Sequence, residues 1–469
     1  MHDIALNPLD PMPLTEQIVV EFTKRITQRA LRPGARLPSI RAFAGAHGVS
    51  TSVVVDAYDR LVRSGLVRPR HGSGYYVAAR KKSYGDHAAH DLSSADDMLW
   101  IMRNALVAVP QGLKVGAGWL PAAWLDQGLV QDGMRLALER HGDELHEYGS
   151  PYGHGPLREA LAARLALVGV HATASQVMLT HGATGALDLV GRALIRAGDT
   201  VLVDDPGYFA FGGYAKSLGA TVIGVPRLAD GPDLDALERA AAEYKPRLFF
   251  TVSVLHNPTG TSSSENNARR VLRIAENHDF TLLEDDVYGD FHAAPLTRLA
   301  TLDQLKRVIY VGGFSKTVSS SLRVGYIAAD EQMIADLADL KLLTTLNSSS
   351  LSERIVHEVL ASGLYARHME RLRQRLRDAR EATLAQLRGL DLEVPFVPEA
   401  GMFIWARMPD GRDVSSLATR AAQQGIVLGP GNVFRPHQEP SPFLRFNVAY
   451  CDDARLFEFL RTAMGHRLS

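Results

Sequence analysis

The sequence predicts a multidomain chain: a small N-terminal α+β unit, then a long α/β body on a mainly parallel sheet. Three observations carry this. The first eighty residues show helical apolar spacing punctuated by glycine and proline. From Val177 onward, short strand-like runs alternate with helical ones. Charge also divides the chain: residues 1–82 hold 13 Lys+Arg against 6 Asp+Glu, or +7, and the remainder carries −8 of a net −1. A basic head on an acidic body points to a polyanionic partner for the head.

The bulk properties narrow the class. At 469 residues, 46% hydrophobic and 22% charged, the chain reads as an ordinary soluble protein with room for more than one core. No apolar run approaches the ~20 residues of a membrane span. The N-terminal stretch lacks the basic start and apolar core of a signal peptide, so the cytoplasm is the expected compartment. A lone cysteine, Cys451, excludes an internal disulfide and a cysteine-cluster metal site, and no histidine spacing argues for a metal.

In the head, Leu14 to Ala30 reads as an amphipathic helix with Ile18, Val19, Phe22 and Ile26 on one side. Ser39 is placed to cap a short second helix ending near Gly48. Ser50 caps a third, whose Val54, Ala57, Tyr58 and Leu61 keep helical spacing. The extended pieces "GLVRP" and "YYVAA" flank the tip "RHGSG". Two helices joined by a tight turn and followed by a glycine-tipped hairpin form a winged helix-turn-helix. Its third helix suits a major groove, and its basic wing suits the neighbouring backbone.

The run "RLPSIRAFAGAHGVSTSVVVDAYDRLVRSGLVRPRHGSGYYV" resembles the GntR-type winged helix, with its LPS-x-R, GVS and AY-x-x-L landmarks. The resemblance implies a DNA-binding domain over residues 11–79. In it Arg41 contacts DNA, Ser50, Thr51 and Ser52 open the recognition helix, and His71 and Gly72 form the wing. Thr51 and Ser52 stand where many relatives have a basic residue. Residues 80–97 are polar and lack apolar periodicity, which reads as a linker.

In the body, each predicted strand is followed by a polar motif. "HGATGALD" follows the first, "DPGY" the second and "HNPTG" the fourth; Asp285 ends the fifth, and "GGFSK" follows the sixth. Polar residues gathered at the carboxyl ends of strands mark where an open α/β sheet holds its ligand. The chemistry can be read off piece by piece. A helix start at "HGATG" offers N–H groups to an anion such as phosphate, and Arg323 adds a bidentate grip. A carboxylate at Asp285 suits a protonated ring nitrogen. Lys316, one of nine lysines beside 42 arginines, can form a Schiff base with an aldehyde if its pKa is lowered. Phosphate, aromatic nitrogen and aldehyde together describe pyridoxal 5′-phosphate, PLP.

From about residue 98 to the end the chain resembles a class I aminotransferase of the PLP-dependent fold type I. That implies a smaller C-terminal α+β subdomain over about 345–469. It implies Lys316 as the Schiff-base lysine, Asp285 at the ring nitrogen, and Asn257 and Tyr288 at the phenolic oxygen. Tyr208 would stack on the ring. Gly182, Ala183, Thr184, Ser315 and Arg323 would hold the phosphate, Arg445 an α-carboxylate, and Tyr148 the phosphate of a partner subunit. Gly313, His181 and Gly185 depart from frequent family residues without removing an essential group.

The two halves together resemble the MocR subfamily of bacterial regulators. This implies a PLP-dependent, DNA-binding transcription regulator that senses an amino acid, an amine or PLP itself by aldimine chemistry at Lys316. It further implies a domain-swapped homodimer on paired half-sites of double-stranded DNA, associated with the nucleoid when bound. An active aminotransferase carrying a DNA-binding head is the alternative, because every residue required for 1,3-prototropic transfer is present.

Overall fold

The computed structural model describes residues 6–7, 12–27, 31, 34–63, 66–70, 74–77, 99–108 and 112–465. The chain divides into two compact units, Met1–His90 and Asp91–Ser469.

The first unit contains helices α1 (Leu14–Thr27), α2 (Ile40–His47) and α3 (Thr51–Arg63) and an antiparallel pair, β1 (Val67–Arg70) and β2 (Gly74–Val77). The caps fall where the sequence sets them. Ser39 Oγ accepts from the Ala42 N–H at 3.2 Å, and Gly48 closes α2 in the left-handed region at φ 64°. Ser50 Oγ accepts from the Val53 N–H at 3.4 Å. Its core is an aromatic triad: Phe22 lies 5.6 Å from Phe43 and 5.8 Å from Tyr58, centroid to centroid. The buried Tyr58 hydroxyl donates to the Pro38 carbonyl at 3.0 Å, which ties α3 to the stretch before α2. The wing residues His71 and Gly72, and the stretch expected to be a linker, lie outside the described residues.

The second unit is built on eight strands: β3 (Val177–His181), β4 (Thr200–Asp205), β5 (Thr221–Leu228), β6 (Gly231–Pro232), β7 (Leu248–Thr251), β8 (Thr281–Asp285), β9 (Val308–Gly313) and β10 (Val324–Ala328). They lie in the order β3-β10-β9-β8-β7-β4-β5-β6. The five strands from β9 to β5 run parallel. β10 pairs antiparallel with both β9 and β3, and β6 antiparallel with β5. The six strands expected from the sequence are all present. β10 and the two-residue β6 are additional.

Before this sheet come α4 (Trp100–Arg103), which continues into a π-helical turn at Asn104–Ala108, α5 (Gln127–His141) and α6 (Gly155–Leu167). Within it, α7 (Gly182–Leu194) follows β3 directly and packs on β3, β9 and β10. α8 (Phe209–Ser217) follows β4. Toward the C-terminus, β11 (Phe403–Arg407), β12 (Gly429–Pro430) and β13 (Phe443–Asn447) form an antiparallel sheet in the order β11-β13-β12. β7, the last four residues of β8 and the first five residues of β9 are buried at every position, as strands covered on both faces must be.

Candidate functional site

The topology brings the polar motifs to one edge of the large sheet. The chain runs outward from β4 through β5 to β6, then returns to lay β7 on the other side of β4. At such a reversal the loops after neighbouring strands diverge and leave a crevice. Tyr208 follows β4, Asn257 follows β7, Asp285 ends β8, and Ser315 and Lys316 follow β9. Because β10 is antiparallel, Arg323 at its start returns to the same edge, beside the first turn of α7.

A cavity of about 470 Å³ lies there. Among its lining residues are Lys316, Asp285, Asn257, Tyr208, Tyr288, Ala183, Thr184, Ser315, Arg323 and Arg445. Gly182 adjoins it. Its φ is +69°, and a Cβ there would lie 2.7 Å from an Arg323 nitrogen, so glycine both permits the turn and leaves the guanidinium room. Gly325 plays the matching part on β10. A Cβ there would fall 2.4 Å from the carbonyl carbon of Gly182 and 2.5 Å from the Ala183 nitrogen. The helix start can therefore sit directly on the strand. Ser315 Oγ accepts from Arg323 Nη1 at 3.0 Å, so hydroxyl, guanidinium and unpaired helix N–H groups converge.

The charges respond to burial. Desolvation lowers the Lys316 pKa to about 8; Arg445 and Arg323 push the same way, and Asp285 opposes them. Burial raises Asp285 to about 7, against the Val287 N–H that donates to its Oδ1 at 3.2 Å. Lowering toward 8 leaves about a tenth of Lys316 as free amine at pH 7. Capture of an aldehyde by Lys316 is therefore expected to quicken roughly tenfold per pH unit below 8 and to level above it. Stopped-flow absorbance of the cofactor-free protein mixed with PLP reads this, and a rate still climbing at pH 10 would contradict it.

Arg445 projects from β13 of the small sheet and is 2% exposed. Its guanidinium lies between Phe403 and Phe434, 4.5 and 4.6 Å from the ring centroids. Nη1 donates to Asn257 Oδ1 and Nη2 to the Gly116 carbonyl, each at 2.5 Å. Asn257 Nδ2 in turn donates to the Tyr288 hydroxyl at 3.4 Å. Among the described residues, the buried Nε has no hydrogen-bond partner. A buried, stacked guanidinium facing a cavity suits a planar carboxylate.

This donor set fits PLP. The anion cradle, the carboxylate, the depressed lysine and the flat wall at Tyr208 each match one part of that molecule. Sequence reasoning missed Gly118, Trp119, Ile101, Met102 and Leu106, which also line the cavity. The one available signal was the crowding of small residues in "VGAGW". Tyr148 does not line the cavity of its own chain; it is 87% exposed. On the head, Arg41, Ser50, Thr51 and Ser52 are exposed, at the start of α2 and of α3.

Fold and site together describe an aminotransferase-like body behind a helix-turn-helix. Residues 110–462 match the family described as aminotransferase class I and II, and residues 14–77 match bacterial regulatory proteins, gntR family. The chain belongs to the aminotransferase class I and II family and carries a gntR-type DNA-binding region. It is 29% identical over 455 residues to the HTH-type transcriptional regulator YdfD of Bacillus subtilis (strain 168), spanning 94% of this chain and 93% of that one. It is 31% identical over 363 residues to the 2-aminoadipate transaminase of Thermus thermophilus, spanning 75% of this chain and 89% of that enzyme. The kynurenine aminotransferase of Pyrococcus horikoshii, solved with PMP, superposes with a TM-score of 0.72 at 27% identity, covering 78% of this chain and 93% of the other.

Proposed function

We propose that the protein is a DNA-binding transcription regulator of MocR type whose body binds PLP and reads an amino acid or amine. The single observation behind this is the pairing, in one chain, of a gntR region with a cavity that gathers Lys316, Asp285, Arg323 and Arg445. Bound PLP would supply an electrophilic carbon and an electron-poor ring. Lys316 would hold the cofactor through that carbon, Asp285 would keep a proton on the ring nitrogen, and Gly182 to Thr184 with Ser315 and Arg323 would anchor the phosphate. An incoming amine would compete with Lys316, and Arg445 would orient any ligand that carries a carboxylate. Once freed, Lys316 Nζ can take up a proton.

The finer expectations belong to the same proposal. Tyr148 is offered to a second copy, in keeping with a domain-swapped homodimer, since its ring is exposed and lies outside its own cavity. Two heads would then engage paired half-sites, in the cytoplasm. Effector binding changes DNA affinity only if it distinguishes two states of the whole molecule.

The test is fluorescence anisotropy of the PLP-loaded protein on the DNA upstream of its own gene, with unrelated DNA of equal length as competitor. Preference for the upstream DNA supports regulation; weak binding erased by salt overturns it. Arg41→Ala is expected to weaken that binding about tenfold or more while leaving the PLP absorbance intact. Unchanged affinity at moderate salt would remove Arg41 from the interface. A second reading, transamination, is favoured by one observation: Lys316 and Arg445 line the same cavity. Repeated turnover with a common 2-oxo acid, without any promoter preference, would establish it instead.

A further inference from the structure

We infer that the ligand is an α-amino acid with an uncharged, apolar side chain, selected by the helical segment Trp100–Ala108 together with Trp119. The inference rests on the proposed binding of PLP and an amino acid in this cavity. It follows first from the charges. Among the described lining residues the cations are Lys316, Arg323 and Arg445, and the one carboxylate is Asp285. The amine, the phosphate, the α-carboxylate and the ring nitrogen already engage all four. Among the described residues of one chain, no lining charge remains to meet a charged side chain. Two of the lining hydrogen-bonding groups are committed as well: Asn257 joins Arg445 to Tyr288, and Ser315 accepts from Arg323.

Apart from Ser320, what remains is mostly apolar wall. Ile101, Met102 and Leu106 come from α4 and its π-helical continuation, and Trp119 from the loop after it. A π turn is wider than an α turn and is frequent at functional sites, because it re-aims side chains within a helix. This one is held in place. Trp100 and Ile101 are each 1% exposed, and the buried Asn104 Nδ2 donates to the Trp100 carbonyl at 3.0 Å. Leu106 lines the cavity yet is 59% exposed, so a bound apolar side chain has a hydrophobic surface to cover.

The wall is also tied to the carboxylate grip. Two residues after Arg445 on β13, Asn447 Nδ2 donates to the carbonyls of Ala117 and Trp119, at 2.9 and 2.8 Å. A Cβ on Gly118 would lie 3.7 Å from Arg445 Nη2. The segment that presents Trp119 therefore passes directly beside the group that takes the α-carboxylate. A ligand held by Arg445 meets this wall, and a charged side chain there loses water without gaining a partner.

The experiment is absorbance titration of the full-length, PLP-loaded protein with L-leucine, L-phenylalanine, L-alanine, L-aspartate and L-lysine. L-leucine or L-phenylalanine is expected to shift the band at an apparent Kd at least about tenfold below those of L-aspartate and L-lysine, with L-alanine weaker than L-leucine. Equal or tighter response to L-aspartate or L-lysine overturns the inference, as does a band that answers to no amino acid. Leu106→Arg, at an exposed position, is expected to narrow the gap between L-leucine and L-aspartate by about tenfold. An unchanged gap overturns the role of the segment. If no Lys316-dependent band forms at all, the PLP reading fails and takes this inference with it. A band that prefers charged amino acids defeats the inference alone.

Discussion

Lys316→Ala protein, loaded with PLP and desalted, is expected to lack the visible absorption band of the parent and to yield no pyridoxyl adduct after borohydride reduction. The effect should be complete, because among the described residues Lys316 is the one lysine lining the cavity. A second buried lysine has a pKa lowered to about 8 as well: Lys341. It cannot substitute. Its Nζ donates to the carbonyls of Pro151 and Leu179, each at 2.8 Å, which leaves it a structural cross-brace. Anion binding at the cradle should survive the substitution, since Ser315, Arg323 and the start of α7 are untouched. PLP is therefore expected to bind weakly and without colour change. A persistent band in the variant would refute the assignment.

Arg445→Lys is the second large effect expected. Lysine keeps the charge and loses the fork, so one of two charge-assisted hydrogen bonds to a carboxylate disappears. At about 1.5–3 kcal/mol for such a bond, the apparent affinity for an α-amino acid should fall roughly 10- to 100-fold. Stacking between Phe403 and Phe434 is lost too, because an ammonium is not planar. Methylamine provides the internal control. It has no carboxylate, so its response should not change, and the PLP band should form as before. Equal losses for methylamine and amino acids would mean that the cavity had been damaged, and would count against the carboxylate role.

Much of the site was legible because each functional group sits in the few residues after a strand. Strands are short, apolar and bounded, so the sequence alone places Tyr208, Asn257, Asp285 and Lys316 at the ends of its second, fourth, fifth and sixth strands. The caps at Ser39, Gly48 and Ser50 were legible for the same local reason. What was not legible depends on contacts distant in sequence. Nothing near Gly116 announces that its carbonyl accepts from Arg445, 329 residues away. The antiparallel β10 was hidden because five residues of β propensity carry no direction. The apolar wall at Ile101, Met102 and Leu106 looked like any helix, since core residues and cavity-lining residues share one composition.

The two grips on an amino acid stand on different sheets. Lys316 belongs to the loop after β9, and Arg445 to β13 of the small C-terminal sheet. Under the proposed roles, a molecule with only an amine would engage the first, and one with only a carboxylate the second. A molecule carrying both at the right spacing would rivet one sheet to the other for as long as it stayed. On the proposed reading the cavity would work as a caliper and as a coincidence detector, and what it reports would be a change in stiffness. Amide exchange in β11 and β13 should slow when an α-amino acid binds, and should be indifferent to methylamine.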